Sequence, residues 1–222
     1  VRLVKPDYFT TALRHVEVRV LSVEDEQPTP PLAIASHGHG DVCVTEKVVG
    51  YKKVKFHTHE NAGYGDVRLP DIELHTTSFW LTLPAATCAS IGRVKAIEGL
   101  RGLGHALELC ATLALMCDPR DLGRAIGDAS PAGGGAHAAA AAEGDHAVHE
   151  LFSATVYLYD HVPGGVGLSE RIAERADEIV TMAAGLILRC PCPHGCPSCV
   201  GATTVAAQAE PPPDALDRKA AA

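Results

Sequence analysis

Four of the chain's eight cysteines fall within ten residues, in Cys190-Pro-Cys192-Pro-His-Gly-Cys196-Pro-Ser-Cys199. No other stretch limits the fold so sharply. Zinc closes a tetrahedral shell with four thiolate or imidazole ligands. A Cys196-x-x-Cys199 pair can bite one such ion from a tight turn that Pro197 restrains and Gly195 allows to reverse. Cys190 and Cys192 lie one residue apart on a proline-flanked, extended segment that can aim both sulfurs at the same ion. Four thiolates leave no open coordination position, so the expected Zn²⁺ is structural. His194 could stand in for one ligand, but four cysteines already complete the shell. The competing reading is a group of reduced or disulfide-bonded cysteines without metal. Tight clustering favours a metal site in a reducing compartment, whereas dispersed pairs in a short secreted chain favour disulfides. Cys43, Cys88, Cys110 and Cys117 read as buried core thiols, the last two on one apolar stripe.

Upstream of this cluster the hydrophobic period changes near residue 84. Residues 14–23 alternate apolar and polar, the mark of a half-buried strand. Residues 33–35 and 41–51 read as strands joined by a His-Gly-His-Gly turn at 37–40, and 52–56 continue the pattern with a basic face. Residues 61–65 read as a turn, and 72–83 as the strongest strand, ended by Pro84. From 91 to 117 apolar residues recur every three or four positions, which predicts one long amphipathic helix with Gly92, Gly99, Gly102 and Gly104 as weak points. Residues 154–159 read as a buried strand and 168–189 as a second amphipathic helix. The expected fold class is α+β. A small β-rich subdomain over 1–84 precedes a mainly helical zinc-binding subdomain over 85–201 with a four-cysteine knuckle. A Gly/Ala-rich insertion at 127–147 reads as mobile, and 202–222 as a frayed tail.

With 222 residues, 46% hydrophobic and 21% charged, the chain can bury a core, which excludes wholesale disorder. No apolar run approaches the ~20 residues of a bilayer span, so no membrane partner is expected. The start at Val1, without a basic-then-apolar leader, suggests no signal peptide and a piece of a longer protein. The net charge of −8 is concentrated after residue 100. Such a chain binds nucleic acid only through a local patch or a basic partner domain. The best patch is Lys52-Lys53-Val54-Lys55, flanked by Tyr51, Phe56 and His57. On a strand Lys53 and Lys55 share one face, enough for about two phosphates. A plain solvated strand face is the alternative.

Twelve histidines raise the possibility of a metal hydrolase. The candidate groups are His37-x-His39-x-Asp41, His57-x-His59-Glu60 and His146-x-x-His149-Glu150, none of which matches the zincin pattern. Surface histidines are the simpler reading. The segment Asp160-His-Val-Pro163-Gly164-Gly165-Val-Gly167-Leu168 reads as strand, turn and helix start, either a plain turn or a cradle whose free helix N–H groups hold a phosphate. There is no P-loop, dinucleotide fingerprint, nucleophile elbow or kinase signature.

Three segments together resemble one family: His105-Ala-Leu-Glu108 with Met116-Cys-Asp118-x-x-Asp121-Leu-Gly123, then Leu158-Tyr-Asp160-His-Val-Pro-Gly-Gly-Val-Gly-Leu168, then the cysteine cluster with Val200. They resemble the C-terminal zinc-binding domain of MrfA-like superfamily II DNA helicases, a group related to RecQ-type helicases. The resemblance covers roughly residues 85–201, and the strand ending in Thr76-Thr-Ser-Phe-Trp80-Leu is similar to the region preceding that domain. It implies Cys190, Cys192, Cys196 and Cys199 as zinc ligands. It implies a parent ATP-dependent helicase moving 3′ to 5′ in DNA repair, cytoplasmic and nucleoid-associated, with ATP and Mg²⁺ held by motor lobes absent from these residues. The expected partners are single-stranded or forked DNA and those motor lobes; the fragment alone is expected to hydrolyse no ATP. A protein-binding structural zinc module and a His-rich metal hydrolase are the rival functions.

Overall fold

The computed structural model describes residues 6–29, 35–128 and 153–201. Its strands are β1 (Tyr8–Val20), β2 (Asp25–Pro28), β3 (Ser36–Lys55), β4 (Asn61–Gly65), β5 (Ile72–Thr82), β6 (Leu122–Asp128) and β7 (Ala154–Asp160). They form one antiparallel sheet in the order β1-β3-β5-β7-β6, with β2 and β4 also paired to β3. The helices are α1 (Ala85–Ile91), α2 (Arg93–Leu115), α3 (Leu168–Glu174) and α4 (Ala176–Arg189). The α+β class expected from the change of period is the class observed.

One side of the sheet meets the helices. Phe79, Leu81, Val156 and Leu158 pack there with Leu100, Leu103 and Leu107 of α2 and Ile179, Val180 and Ala183 of α4. Burying each such side chain contributes about 1.5–3 kcal/mol. All seven residues of β7 are buried, so it reads as a continuous apolar run rather than an alternating one. On the opposite side Val42, Val44, Trp80, Ala125, Tyr157 and Tyr159 form a second, smaller cluster.

Several local expectations are corrected. The His-Gly-His-Gly segment is not a turn but lies inside β3, which runs unbroken from Ser36 to Lys55. Its glycines serve close approach: a Cβ on Gly38 would meet Trp80 Nε1 at 2.8 Å, and one on Gly40 would meet the Ser22 carbonyl oxygen at 2.1 Å. Residues 61–65 are strand β4, paired to residues 51–54. The long helix is broken at Gly92, whose φ of 87° belongs to no helix. The second helix is broken at Arg175, where φ is −111°. There the Arg175 guanidinium donates to the Ala114 carbonyl oxygen, 2.7 Å, near the C-terminus of α2. Strand β6 escaped the sequence reading because glycines interrupt it; Gly123 lies against the Tyr159 ring, where a Cβ would come within 2.2 Å. Most of the 127–147 insertion, the whole 202–222 tail and the 33–34 part of a predicted strand lie outside the described residues.

The sheet does not stop at residue 84. β5 pairs with β7 from Ser78↔Tyr159 to Thr82↔Thr155, so the upstream strands and the downstream segment share one hydrogen-bonded ladder.

Candidate metal centre

Helix α4 ends at Arg189, and Cys190 leaves it in an extended conformation, φ −67° and ψ 128°. Pro191 and Pro193 keep the next residues out of helix. Gly195, at φ 98°, reverses the chain. A turn then closes on the Cys196 carbonyl oxygen, which accepts from the N–H groups of Cys199 and Val200, both at 3.1 Å. The Cys196 N–H points at Cys199 Sγ, 3.3 Å away. Together these place the four sulfurs within 4.8 Å of one another.

The sulfur spacing fits a zinc ion. Cys190–Cys196 and Cys196–Cys199 sulfurs are 3.6 Å apart and Cys192–Cys199 sulfurs 3.5 Å. Tetrahedral ligands at 2.3 Å from a shared zinc would stand about 3.8 Å apart. A disulfide needs about 2.05 Å, far shorter, and none of the eight cysteines forms one. The local field also favours a thiolate. N–H donation from Ser198, with help from the Cys199 and Cys190 thiols, pulls the Cys196 thiol down to about 6. Cys192 is pushed the other way, to about 12, first by desolvation and then by its three sulfur neighbours. Sulfurs crowded this closely cannot all ionise unaided, and a divalent cation relieves that repulsion.

The knuckle is fastened to the core from the side. Cys199 and Val200 are buried. His105 of α2 donates from Nε2 to the Pro197 carbonyl oxygen, 2.9 Å. Gly201, at φ 79°, passes so close that a Cβ there would sit 3.1 Å from the His105 ring. His105 stood in a recognised motif, but nothing in its spacing disclosed this contact across 92 residues.

Asp160 organises the Pro-Gly-Gly segment. Its fully buried carboxylate accepts from the N–H groups of Val166 (2.6 Å), Leu168 (3.1 Å) and Ser169 (2.9 Å), and from the Ser169 hydroxyl. The helix-start N–H groups are thus taken by the protein's own carboxylate, and the plain-turn reading holds. The Thr76 hydroxyl bonds the carbonyls of Asp160 and Val162, fixing the turn to β5.

The basic strand lies far along β3, between β1 and β4. Lys55 faces Tyr8, Lys53 faces Thr10 and Lys52 faces Thr11 across the β1 ladder. Lys53 Nζ stands 5.3 Å over the Tyr8 ring. Lys55 Nζ pairs with Glu60, 2.8 Å, in an exposed contact. The Phe9 and Phe56 rings pack 5.5 Å apart beside them. The histidine groups do not assemble: His37 bonds the Thr29 hydroxyl at 3.0 Å, and His39 pairs with Glu24 at 3.1 Å. Neither His37-x-His39-x-Asp41 nor His57-x-His59-Glu60 gathers three ligand atoms among the described residues. His146 and His149 lie outside them.

These features define a zinc-binding module: a four-cysteine knuckle clamped to a helix pair that backs an antiparallel sheet. Residues 103–200 match the model of the MrfA Zn-binding domain family. The chain is 34% identical over 206 residues to the uncharacterized ATP-dependent helicase YprA of Bacillus subtilis (strain 168), covering 90% of this chain and 24% of that protein. A crystal structure of the DUF1998 helicase MrfA bound to DNA matches 90% of the chain at 32% identity, with a TM-score of 0.62. A further crystal structure of MrfA matches 94% at 26% identity, with a TM-score of 0.53. The chain spans about a quarter of the length of these relatives. No helix among the described residues is long and apolar enough to cross a membrane.

Proposed function

We propose that this chain is the C-terminal accessory module of an ATP-dependent 3′–5′ DNA helicase acting in DNA repair. In this reading a structural Zn²⁺ is held by Cys190, Cys192, Cys196 and Cys199, and the module helps engage or separate single-stranded or forked DNA. ATP and Mg²⁺ belong to motor lobes on the same polypeptide, in the cytoplasm and associated with the nucleoid. The observation that carries the reading is the match of the whole sheet-and-knuckle unit, over 90% of the chain, to a helicase crystallised with DNA.

The zinc, when bound, supplies a fixed covalent-like staple and no open position for chemistry. The chain's own groups do the rest. The turn N–H groups favour the Cys196 thiolate, the Cys196 carbonyl closes the turn, and His105 holds the finished knuckle on α2. DNA is engaged through the face carrying Lys53 and Lys55, with Lys52 on the other side of the strand. Lys53 is held over Tyr8, and the exposed Lys55–Glu60 pair is weak enough for a phosphate to displace Glu60.

The deciding experiment uses the helicase that contains this chain. Forked-DNA affinity is titrated against salt for the parent and for a Lys53→Ala, Lys55→Ala double variant. Losing about two phosphate contacts should flatten the log–log salt slope by about 1.4 to 1.8 and leave zinc content unchanged. Identical titrations would remove these lysines from the interface. Failure of zinc-loaded parent protein to bind or unwind DNA would remove the helicase reading itself.

A further inference from the structure

A second group of metal-type ligands lies outside the knuckle, on β3 and β5. The antiparallel register sets Cys43 directly opposite His75 and Thr45 opposite Glu73. Residues opposite each other, and residues two apart on one strand, project from the same side of a sheet. The thiol of Cys43, the imidazole of His75 and the carboxylate of Glu73 therefore converge, with ligand atoms all within 4.8 Å of one another. They lie on the same side of β5 as Phe79 and Leu81, which meet the helices.

The distances suit a shared ion. Cys43 Sγ stands 3.9 Å from His75 Nε2. Zinc bonds of about 2.3 Å to sulfur and 2.0–2.1 Å to nitrogen span that gap at an angle of about 125°, within reach of tetrahedral geometry by a small side-chain rotation. Cys43 is 2% exposed, whereas His75 and Glu73 are exposed, so the thiol forms a floor and the other two an open rim. The strand backbone is held there, because the His75 carbonyl oxygen accepts the Gly164 N–H at 2.8 Å. On β1 the same side carries Arg19 opposite Cys43 and Glu17 opposite Thr45, so charges of both signs flank the group. One sulfur, one imidazole and one carboxylate form a borderline-soft set that suits Zn²⁺ and poorly suits Mg²⁺ or Ca²⁺.

We propose that Cys43, Glu73 and His75 form a second zinc site on the sheet, with three protein ligands and an open fourth position for water or an external group. It differs from the knuckle in kind: one thiolate instead of four, and a shell the protein leaves incomplete.

The test is metal counting and cobalt titration on the intact chain with its knuckle first loaded with zinc. Desalted wild-type protein should hold about two zinc ions, and His75→Ala and Glu73→Gln should hold about one while melting as the parent does. Both substituted side chains are exposed, which keeps the variants informative where Cys43→Ser fails to fold. Added Co²⁺ should give wild type a single-thiolate charge-transfer band that His75→Ala weakens at least tenfold in affinity. Cys196→Ser should lose the knuckle metal and keep the cobalt site, which separates the two assignments. One zinc in wild type with no thiolate band at micromolar Co²⁺, or equal cobalt binding by His75→Ala, would overturn the site.

Discussion

Strand β7 and the distal half of β3 belong to one sheet but live in opposite surroundings. Every residue of β7 is buried, with helices on one side and the Trp80–Tyr157 pair on the other. From Val48 to Lys55, β3 is flanked by β1 and β4 and is only partly covered; Val49 is 59% exposed, as is much of neighbouring Tyr64. Both regions are held in the ladder: β7 pairs with β5 and β6, and this half of β3 pairs with β1, apart from a bulge at Val49, and with β4 over residues 51–54. The difference shows that strand hydrogen bonds position a segment, while cover from helices supplies most of its stability. The four-cysteine knuckle is fastened to the covered half, through His105 and Val200.

The largest test of that contrast is Cys196→Ser. Structural zinc sites contribute on the order of 10 kcal/mol of binding free energy, so this variant should lose the knuckle zinc and loosen the helix packing beside it. Hydrogen exchange should rise over residues 168–201 well before it rises over 8–20. Full zinc content with unchanged melting would defeat the assignment, and simultaneous loss in both regions would erase the contrast.

Asp160→Ala comes next. It strands the N–H groups of Val166 and Leu168, in part-buried bonds, and that of Ser169, in a buried one. Denaturant unfolding should show a loss of about 2–4 kcal/mol. A loss under about 0.5 kcal/mol would show that the turn stands without its carboxylate.

Two glycines sharpen the comparison with opposite signs. A Cβ on Gly104 would lie 2.7 Å from Val156 Cγ2, a buried β-branched side chain that cannot retreat. Gly104→Ala should destabilise by about 1 kcal/mol, because overpacking outweighs the helix-propensity gain. At Gly185 the atoms nearest the new methyl belong to the Arg189 guanidinium, the far end of a flexible side chain. Gly185→Ala should stabilise by about 0.5–1 kcal/mol. Thermal melts that give both the same sign would break the packing argument.

A smaller effect is set by pH. Burial lowers the His37 pKa below 6.5, against opposing pulls from Asp177 and Asp25. Its folded pKa is depressed, so the unfolded chain takes up the proton first. Stability from this group is intact above the unfolded value and falls as pH drops through it. His37→Phe should remove that component of the stability–pH slope near pH 6.5 and below. An unchanged slope would assign it elsewhere.

The smallest stability change belongs to the exposed strand. Lys53→Ala with Lys55→Ala should shift unfolding by less than about 0.5 kcal/mol, since Lys55 and Glu60 form only a surface pair. A larger loss would mean that the distal half of β3 depends on its lysines for folding.

Much of the fold was legible. Alternation marked residues 14–23 inside β1, the strand pattern stopped by Pro84 marked 72–83, the largely apolar 154–159 marked β7, and the 3–4 spacing marked α2 and α4. The helix breaks at Gly92, one of the glycines read as weak points, and at Arg175, which nothing in the sequence marked, involve backbone angles that periodicity does not encode. The glycines at 38 and 40 misled because a glycine needed for a neighbour's bulk looks, in sequence, like one needed for a turn.

The chemistry of the knuckle was written in four cysteines, three prolines and one glycine within ten residues, because short loops leave sulfurs few places to go. The α+β class was likewise set by period, a local property. Only the tertiary structure decided that β5 would pair with β7 across the change of period, and that His105 would clamp a turn 92 residues away. It also brought Cys43 to His75. Those pairings depend on strand order and on which faces the helices cover, and such long-range choices follow from burying the whole core at once rather than from any single segment.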